Sequence, residues 1–214
     1  MRYLLPVALA AALALPGPSP AQAKQSRHPR PERVASHISL HVSRHTLLYG
    51  GRLLLKGKVG PRGPHRVKVV VGGPEGGLVI TRTRPSGAFA VRWKLSRTGT
   101  YRARAFGIHE RGMRGSASPA RQVTVYKRVE ASYYGPGLYG NGVACGGTLW
   151  PGTLGVANKT LPCGTMVKLR YHGRSVTVPV IDRGPYVAGR DFDLTTATKE
   201  RLGFPGLGVV LSSR

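Results

Sequence analysis

Between residues 37 and 127 the apolar side chains recur in short runs that alternate with polar ones and end at turn residues. His37 to Ser43 alternates polar and apolar. Arg52 to Val59 and Arg66 to Val71 follow, and then Gly72-Gly73-Pro74-Glu75-Gly76-Gly77 breaks the pattern. Leu78 to Thr83 runs to Pro85-Ser86-Gly87, and Ala88 to Leu95, Tyr101 to Phe106 and Gln122 to Tyr126 complete the set. A period of two with turn signals every 8–12 residues predicts about seven strands in an antiparallel β-sandwich of immunoglobulin or fibronectin type. No Cys-Trp-Cys core pattern accompanies them, which sets the block apart from antibody domains. Trp93 reads as a core residue. His37, His41 and His45 have a helix-like metal spacing, but on a strand they fall on the solvent side and imply no metal site.

From residue 128 the pattern stays mainly β. Val129 to Tyr134 predicts a strand. Met166 to Tyr171 and Ser175 to Ile181 predict a hairpin across His172-Gly173-Arg174. Thr195 to Leu202 has helical composition, with Thr195 a natural N-cap and Gly203 a natural stop. Gly208 to Leu211 predicts a closing strand.

Residues 1–23 have the layout of a signal peptide. Arg2 is a short positive start, Tyr3 to Leu15 is apolar, and Ala21-Gln22-Ala23 fits small-x-small cleavage. The apolar run is short for a bilayer span, and no later run is long enough for a transmembrane segment. No cysteine stands near the cut, so lipid attachment has no acceptor. Residues 24–36 (KQSRHPRPERVAS) read as a basic, disordered leader. The expectation is a secreted protein, extracellular or held by the wall.

Charge divides the remainder. The chain carries 33 Lys and Arg against 8 Asp and Glu, for a formal net charge of +25. Residues 37–127 hold 18 basic and 2 acidic residues, and residues 128–214 hold 10 and 5. The organisation expected is a strongly basic sandwich over 37–127 followed by a second domain over 128–214. Such a balance favours a polyanionic partner. For an exported chain the first polyanions met are wall polymers, not nucleic acid. Arginine outnumbers lysine 24 to 9 in a chain also rich in Ala, Gly and Pro, so codon bias alone is an equally good account of the charge.

Cys145 and Cys163 are the only cysteines. In an exported chain an isolated pair reads as one disulfide. It closes a loop of roughly 18 residues and contributes on the order of 3 kcal/mol by the chain-entropy model. No metal or other cofactor is expected, because two cysteines without a nearby His make a poor zinc site.

Asp182, Asp191 and Asp193 fall within twelve residues of this basic chain. Grouped carboxylates are what acid/base chemistry on a sugar bond requires. Asp182 ends an apolar strand at Asp-Arg-Gly-Pro, where it either serves a cleft or accepts turn N–H groups and pairs with Arg183. Asp193 lies just before the expected helix, where a carboxylate also stabilises the helix N-terminus. Asp191 is one residue out of register and reads as a surface charge. Tyr134, Tyr139, Trp150 and Tyr186 offer faces for stacking on sugar rings, or pack.

The order of Ala131-Ser132-Tyr133-Tyr134-Gly135, Thr160-Leu161-Pro162, Gly164-Thr165, Asp182-Arg183-Gly184-Pro185 and Asp193-Leu194 resembles the double-psi β-barrel of the RlpA-like (rare lipoprotein A) family. More distantly it is similar to the barrels of expansins and related endoglucanases. The resemblance covers about residues 129 to 212. It implies a six-stranded barrel with one short helix, in which Asp193 is the critical acid, Asp182 assists, and Ser132 lines the same groove. It implies an exported protein acting on peptidoglycan glycan strands, as a lytic transglycosylase or another glycan-cleaving enzyme. The family's Glu and His positions align here with Gly147 and Asn158. Gly has no side chain, and Asn exchanges no proton near neutral pH. The alternative is therefore an expansin-like protein that binds or remodels wall without cleavage, or a scaffold. The partners expected are peptidoglycan and, through the basic sandwich, anionic wall polymers.

Overall fold

The computed structural model describes residues 34–108 and 113–214. The expected signal peptide and almost all of the leader lie outside the described residues. In chain order the elements are β1 Val34–Ala35, β2 His37–Val42, β3 Thr46–Leu48, β4 Arg52–Gly60, β5 Arg66–Gly72, β6 Gly77–Arg82, β7 Ala88–Lys94, β8 Gly99–Gly107, β9 Met113–Arg114 and β10 Arg121–Tyr134. They continue with β11 Val156–Ala157, β12 Met166–Tyr171, β13 Arg174–Asp182, β14 Phe192–Thr195, α1 Thr196–Leu202 and β15 Gly208–Ser212. The described chain is thus mainly β, with one short helix.

Two sheets share the first apolar core. One is three-stranded, in the order β2-β4-β7, and the other runs β10-β8-β5-β6 with β3 added to β10. Alternation decides which side chains meet. Leu53, Leu55 and Val59 of β4, Val67, Val69 and Val71 of β5, and Val123 and Val125 of β10 all enter one cluster, and Trp93 packs against it half-buried. Gly57 sits inward among them. A Cβ there would lie 2.2 Å from the Ser39 carbonyl and 2.3 Å from the Phe89 ring, so only glycine fits.

A second core lies beyond residue 128. The strand order β14-β11-β13-β12-β15-β10, with β14 pairing β10 in addition, closes a barrel on itself. Closure leaves no free edge. Its interior holds Val129, Ala131, Val156, Val167, Leu169, Phe192, Leu194 and Leu202. Thr195 caps α1 by accepting the Thr198 amide, and Gly203 ends it at φ 69.

The separate strands expected over 122–126 and 129–134 are one continuous strand, β10. Val123 and Val125 pack in the first core, and Val129 and Ala131 in the second. Exposed Lys127 and Arg128 mark the crossing. The two-residue strand β11 and the short β14 escape sequence reading because each is held by partners far along the chain.

Candidate functional site

One transverse row across the barrel wall carries the candidate chemistry. Strand β10 pairs with β14 in parallel, which sets Ser132 opposite Asp193. Strand β11 pairs with β14 and sets Ala157 on the other side of Asp193. Ala157 in turn pairs with Asp182 of β13. Directly paired residues share a sheet face, so Ser132, Asp193, Ala157 and Asp182 point the same way. That face is the outside of the barrel, because Ala131, Phe192, Leu194, Val156 and Val180 between them enter the core.

A bulge makes the row possible. Val156 pairs with Val180, but Ala157 pairs with Asp182, so Ile181 is the extra residue. Bulges re-aim the side chain that follows. Without it, Asp182 has the same parity as buried Val180 and points inward. Ile181 lies over Gly155, where a Cβ would stand 2.5 Å from the isoleucine side chain. The two carboxylates lie two strands apart, about 10 Å between backbones at normal strand spacing.

Each acid is held differently. The Ser132 hydroxyl donates to Asp193 Oδ1. Asp182 Oδ1 accepts the Ala144 amide at 2.9 Å and the Arg183 amide at 2.8 Å. The Arg183 guanidinium does not pair with this carboxylate. It donates to the Asn158 carbonyl at 3.1 Å, the Leu161 carbonyl at 2.9 Å and Cys163 Sγ at 3.1 Å. Both aspartates are half-buried. Asp191 is exposed, and its carboxylate accepts the Glu130 amide at 3.1 Å.

Tyr134 stands on the same face, two residues past Ser132. Its hydroxyl is buried with no hydrogen-bond partner. Burial, then the charges of Asp182 and Asp193, hold its ionisation well above the ordinary phenol range. The Asp182 carboxylate is near enough to act on this hydroxyl, but alignment does not close a hydrogen bond. Tyr139 donates to Thr196 Oγ1 at 3.0 Å, which anchors it at the helix start. Trp150 and Tyr186 face solvent, at 59% and 84% exposure. The structure thus gathers Ser132, Tyr134, Asp182 and Asp193, and leaves Trp150 and Tyr186 on the surface.

Cys145 and Cys163 are bonded to each other, with Cα atoms 5.6 Å apart. The loop they bracket is sewn to the end of β13. The Cys145 amide donates to the Ile181 carbonyl at 3.0 Å and the Asn158 amide to the Asp182 carbonyl at 3.1 Å. Asn158 is a structural hub: Nδ2 donates to the Asp191 carbonyl at 2.9 Å, while Oδ1 accepts the amides of Thr160 and Leu161. Gly147 has φ +89 with nothing within 4 Å of a built Cβ. The roles of Ala157 and Ala144 leave no signal in the linear pattern, because small spacers and backbone donors look alike everywhere, and the partners of Asn158 show only in the fold.

The stretch that forms this barrel is similar to known proteins. A family described as lytic transglycolase matches residues 127–211. Over 81 residues the chain is 41% identical to a probable endolytic peptidoglycan transglycosylase RlpA of Synechocystis, covering 37% of this chain and 25% of that protein. It is 40% identical over 74 residues to the endolytic peptidoglycan transglycosylase RlpA of Campylobacter jejuni, covering 34% of this chain and 27% of that one. A solved Streptomyces papain inhibitor is similar at 26% identity and a TM-score of 0.34, covering 41% of this chain and 90% of its own. Residues 127–211 form a domain of the RlpA-like double-psi β-barrel type, as the family match and these relatives show for that stretch. The chain spans only 25%, 38% and 22% of the length of three such relatives.

Proposed function

We propose that this is an exported cell-wall protein whose barrel cleaves peptidoglycan glycan strands as a lytic transglycosylase. The observation that carries this reading is the row Ser132–Asp193–Ala157–Asp182 on the outer wall of a barrel whose relatives are named for that activity. In the reaction, Asp193 gives its proton to the glycosidic oxygen as the bond to the anomeric carbon breaks. A hydroxyl of the same sugar attacks that carbon and returns its proton to Asp193. One acid suffices, since no water is activated. Asp182 supports the positive charge that develops on the sugar ring, and Ser132 orients Asp193. Tyr134 and Tyr139 border the same face, while Trp150 and Tyr186 are free to stack on sugars further along the strand.

Residues 1–23 are read as a signal peptide, 24–36 as a basic leader and 37–127 as an immunoglobulin-like sandwich. The shared core of the two N-terminal sheets supports the last of these. Among the described residues no helix is long and apolar enough to cross a membrane.

A second reading is a non-cleaving wall binder or scaffold. It is favoured by Asn158, whose side chain is committed to three backbone partners, and by Gly147, which leaves a gap where the family carries Glu. Mass spectrometry of purified sacculi after incubation with the protein separates the two. Anhydro-sugar ends are expected for the wild type and none for Asp193→Asn. Reducing ends would mean hydrolysis, and no new ends from the wild type would leave binding alone. In that last case Gly147→Glu is the sharper probe. A side chain there has room, though the left-handed backbone costs about 1–2 kcal/mol, and a gain of anhydro ends would show the missing acid to be the only defect.

A further inference from the structure

The outer face of the three-stranded sheet is not used by the barrel chemistry, and its charges are arranged unlike an ordinary solvated face. Strand β4 buries Leu53, Leu55, Gly57 and Val59, so Arg52, Lys56 and Lys58 stand exposed on the other side. Lys56 and Lys58 are side by side, about 7 Å apart at normal strand rise. On β7 the outward residues are Ala88, Ala90, Arg92 and Lys94. Register places Lys56 opposite Ala90 and His41, Lys58 opposite Ala88 and Ser39, and Arg92 opposite Leu54. Together with Arg84 these residues line a groove of about 920 Å³. Arg52 and Lys94 continue the basic face as a directly opposed pair.

Two features set this face apart. Like charges directly across a sheet are destabilising, and Arg52 faces Lys94 with nothing between them to neutralise either. The described part of residues 34–127 contains a single carboxylate, Glu75, which is occupied in accepting the Ser96 amide at 2.6 Å. Among the described residues none of Lys56, Lys58, Arg84 and Arg92 has an ion-pair partner. A face serving only solubility mixes both signs.

The floor of the groove narrows the partner. It is built from Ser39, Leu54, Gly57, Ala88 and Ala90, with Phe89 almost wholly buried beneath them. Single-stranded nucleic acid is gripped by aromatic platforms on which bases stack, and the lining here offers only the exposed imidazole of His41 and a Phe89 ring that is 5% exposed and packed in the first core. What it presents is charge density over a smooth surface, with arginine forks beside lysine point charges. Arginine matches a phosphate bidentately. We propose that this groove binds a linear polyol-phosphate polymer of the cell wall through its phosphodiester groups, and that Lys56, Lys58 and Arg92 are its principal contacts. The barrel would then be held against the wall by a site of separate chemistry.

The test is calorimetric titration of the full chain with synthetic poly(glycerol phosphate). Two triple variants remove equal charge. Lys56→Gln/Lys58→Gln/Arg92→Gln strips the groove, and Arg82→Gln/Arg102→Gln/Lys127→Gln strips exposed cations elsewhere in the same block. The groove variant should bind roughly tenfold more weakly at 0.1 M salt, and its log–log salt slope should fall by about 2, as expected for three lost phosphate contacts on a flexible chain. The other triple should stay within about twofold of wild type. Equal losses in both variants, or no binding by the wild type, would overturn the site. Poly-L-glutamate or oligo-deoxythymidine bound as tightly as the polyol phosphate would overturn the choice of ligand. If the groove triple fails to fold by circular dichroism, Lys58→Gln alone should still lower the slope by about 0.7. Neither triple touches the barrel row, so failure of glycan cleavage leaves this result standing, and the reverse.

Discussion

The outer wall of the barrel and the outer face of the three-stranded sheet are built by the same alternation, yet they hold their charges in opposite ways. On the barrel, each carboxylate is tied down. Asp193 accepts from the Ser132 hydroxyl, and Asp182 accepts two backbone amides. On the sheet, the cations stand free. Chemistry at one bond needs a few groups fixed to a fraction of an ångström, and it is the supporting hydrogen bonds that fix them. Adhesion to a flexible polyanion needs only density of charge, and long mobile side chains supply it without support. On the two roles proposed above, the number of partners around a charged group is what separates the reaction site from the holding surface.

The most severe break in this comparison is Asp193→Asn. It preserves shape and loses the proton, so glycan cleavage should fall by about 10²–10⁴-fold while melting and polyol-phosphate binding stay at the wild-type level. A fall in that binding would mean that the two faces are one site. Next comes Cys145→Ser/Cys163→Ser. The loss should be about 3 kcal/mol in denaturant unfolding. Cleavage should fall as well, because the loop that holds the acceptors of Arg183 and follows directly on the Ala144 amide is released. Continuous β10 makes unfolding a single transition, and a biphasic melt in the variant would show that the two cores come apart.

Ser132→Ala is a milder probe. It leaves Asp193 without its donor, at a cost of about 0.5–1.5 kcal/mol for the lost hydrogen bond, and cleavage should drop more than KM rises. Ser132→Thr should restore both. The smallest effect is alkaline. Tyr134 keeps its proton in the folded protein above the pH at which it ionises unfolded, so the native state binds more protons there. Stability is then unaffected below about pH 10 and declines as pH rises further. Tyr101 and Tyr126 are raised in the same direction by burial. Ultraviolet titration should show some of the nine tyrosines resisting ionisation until the fold opens, one fewer in Tyr134→Phe. An unchanged count would mean that the Tyr134 hydroxyl is open to water.

Much of the fold was legible because antiparallel neighbours are close in sequence. The period-two runs gave β2, β4, β5, β6, β7 and β8 within a residue or two of their ends, and Thr195 and Gly203 bounded α1 as their chemistry demands. What escaped was held together at long range. Ser132 and Asp193 lie 61 residues apart and meet through a parallel pairing. Nothing local in Val156-Ala157 marks a strand. Reading Arg183 as a partner for Asp182 was natural from adjacency, but the guanidinium turns to the disulfide loop because three acceptors converge there.

The sequence by itself determined which residues are chemically capable: two aspartates eleven apart in a basic chain, one cysteine pair, and a hydroxyl in the Ala131-Ser132-Tyr133 strand. It also determined that most of the chain pairs as β, since alternation is a local property of the chain. Only the tertiary structure decided that the aspartates share a face. That outcome depends on the one-residue bulge at Ile181, and a bulge is the result of competition between pairings that no single segment encodes. The same holds for the basic groove. The count of cations was written in the composition, but their placement on one side of one sheet, clear of any carboxylate among the described residues, followed from which face the first core consumed.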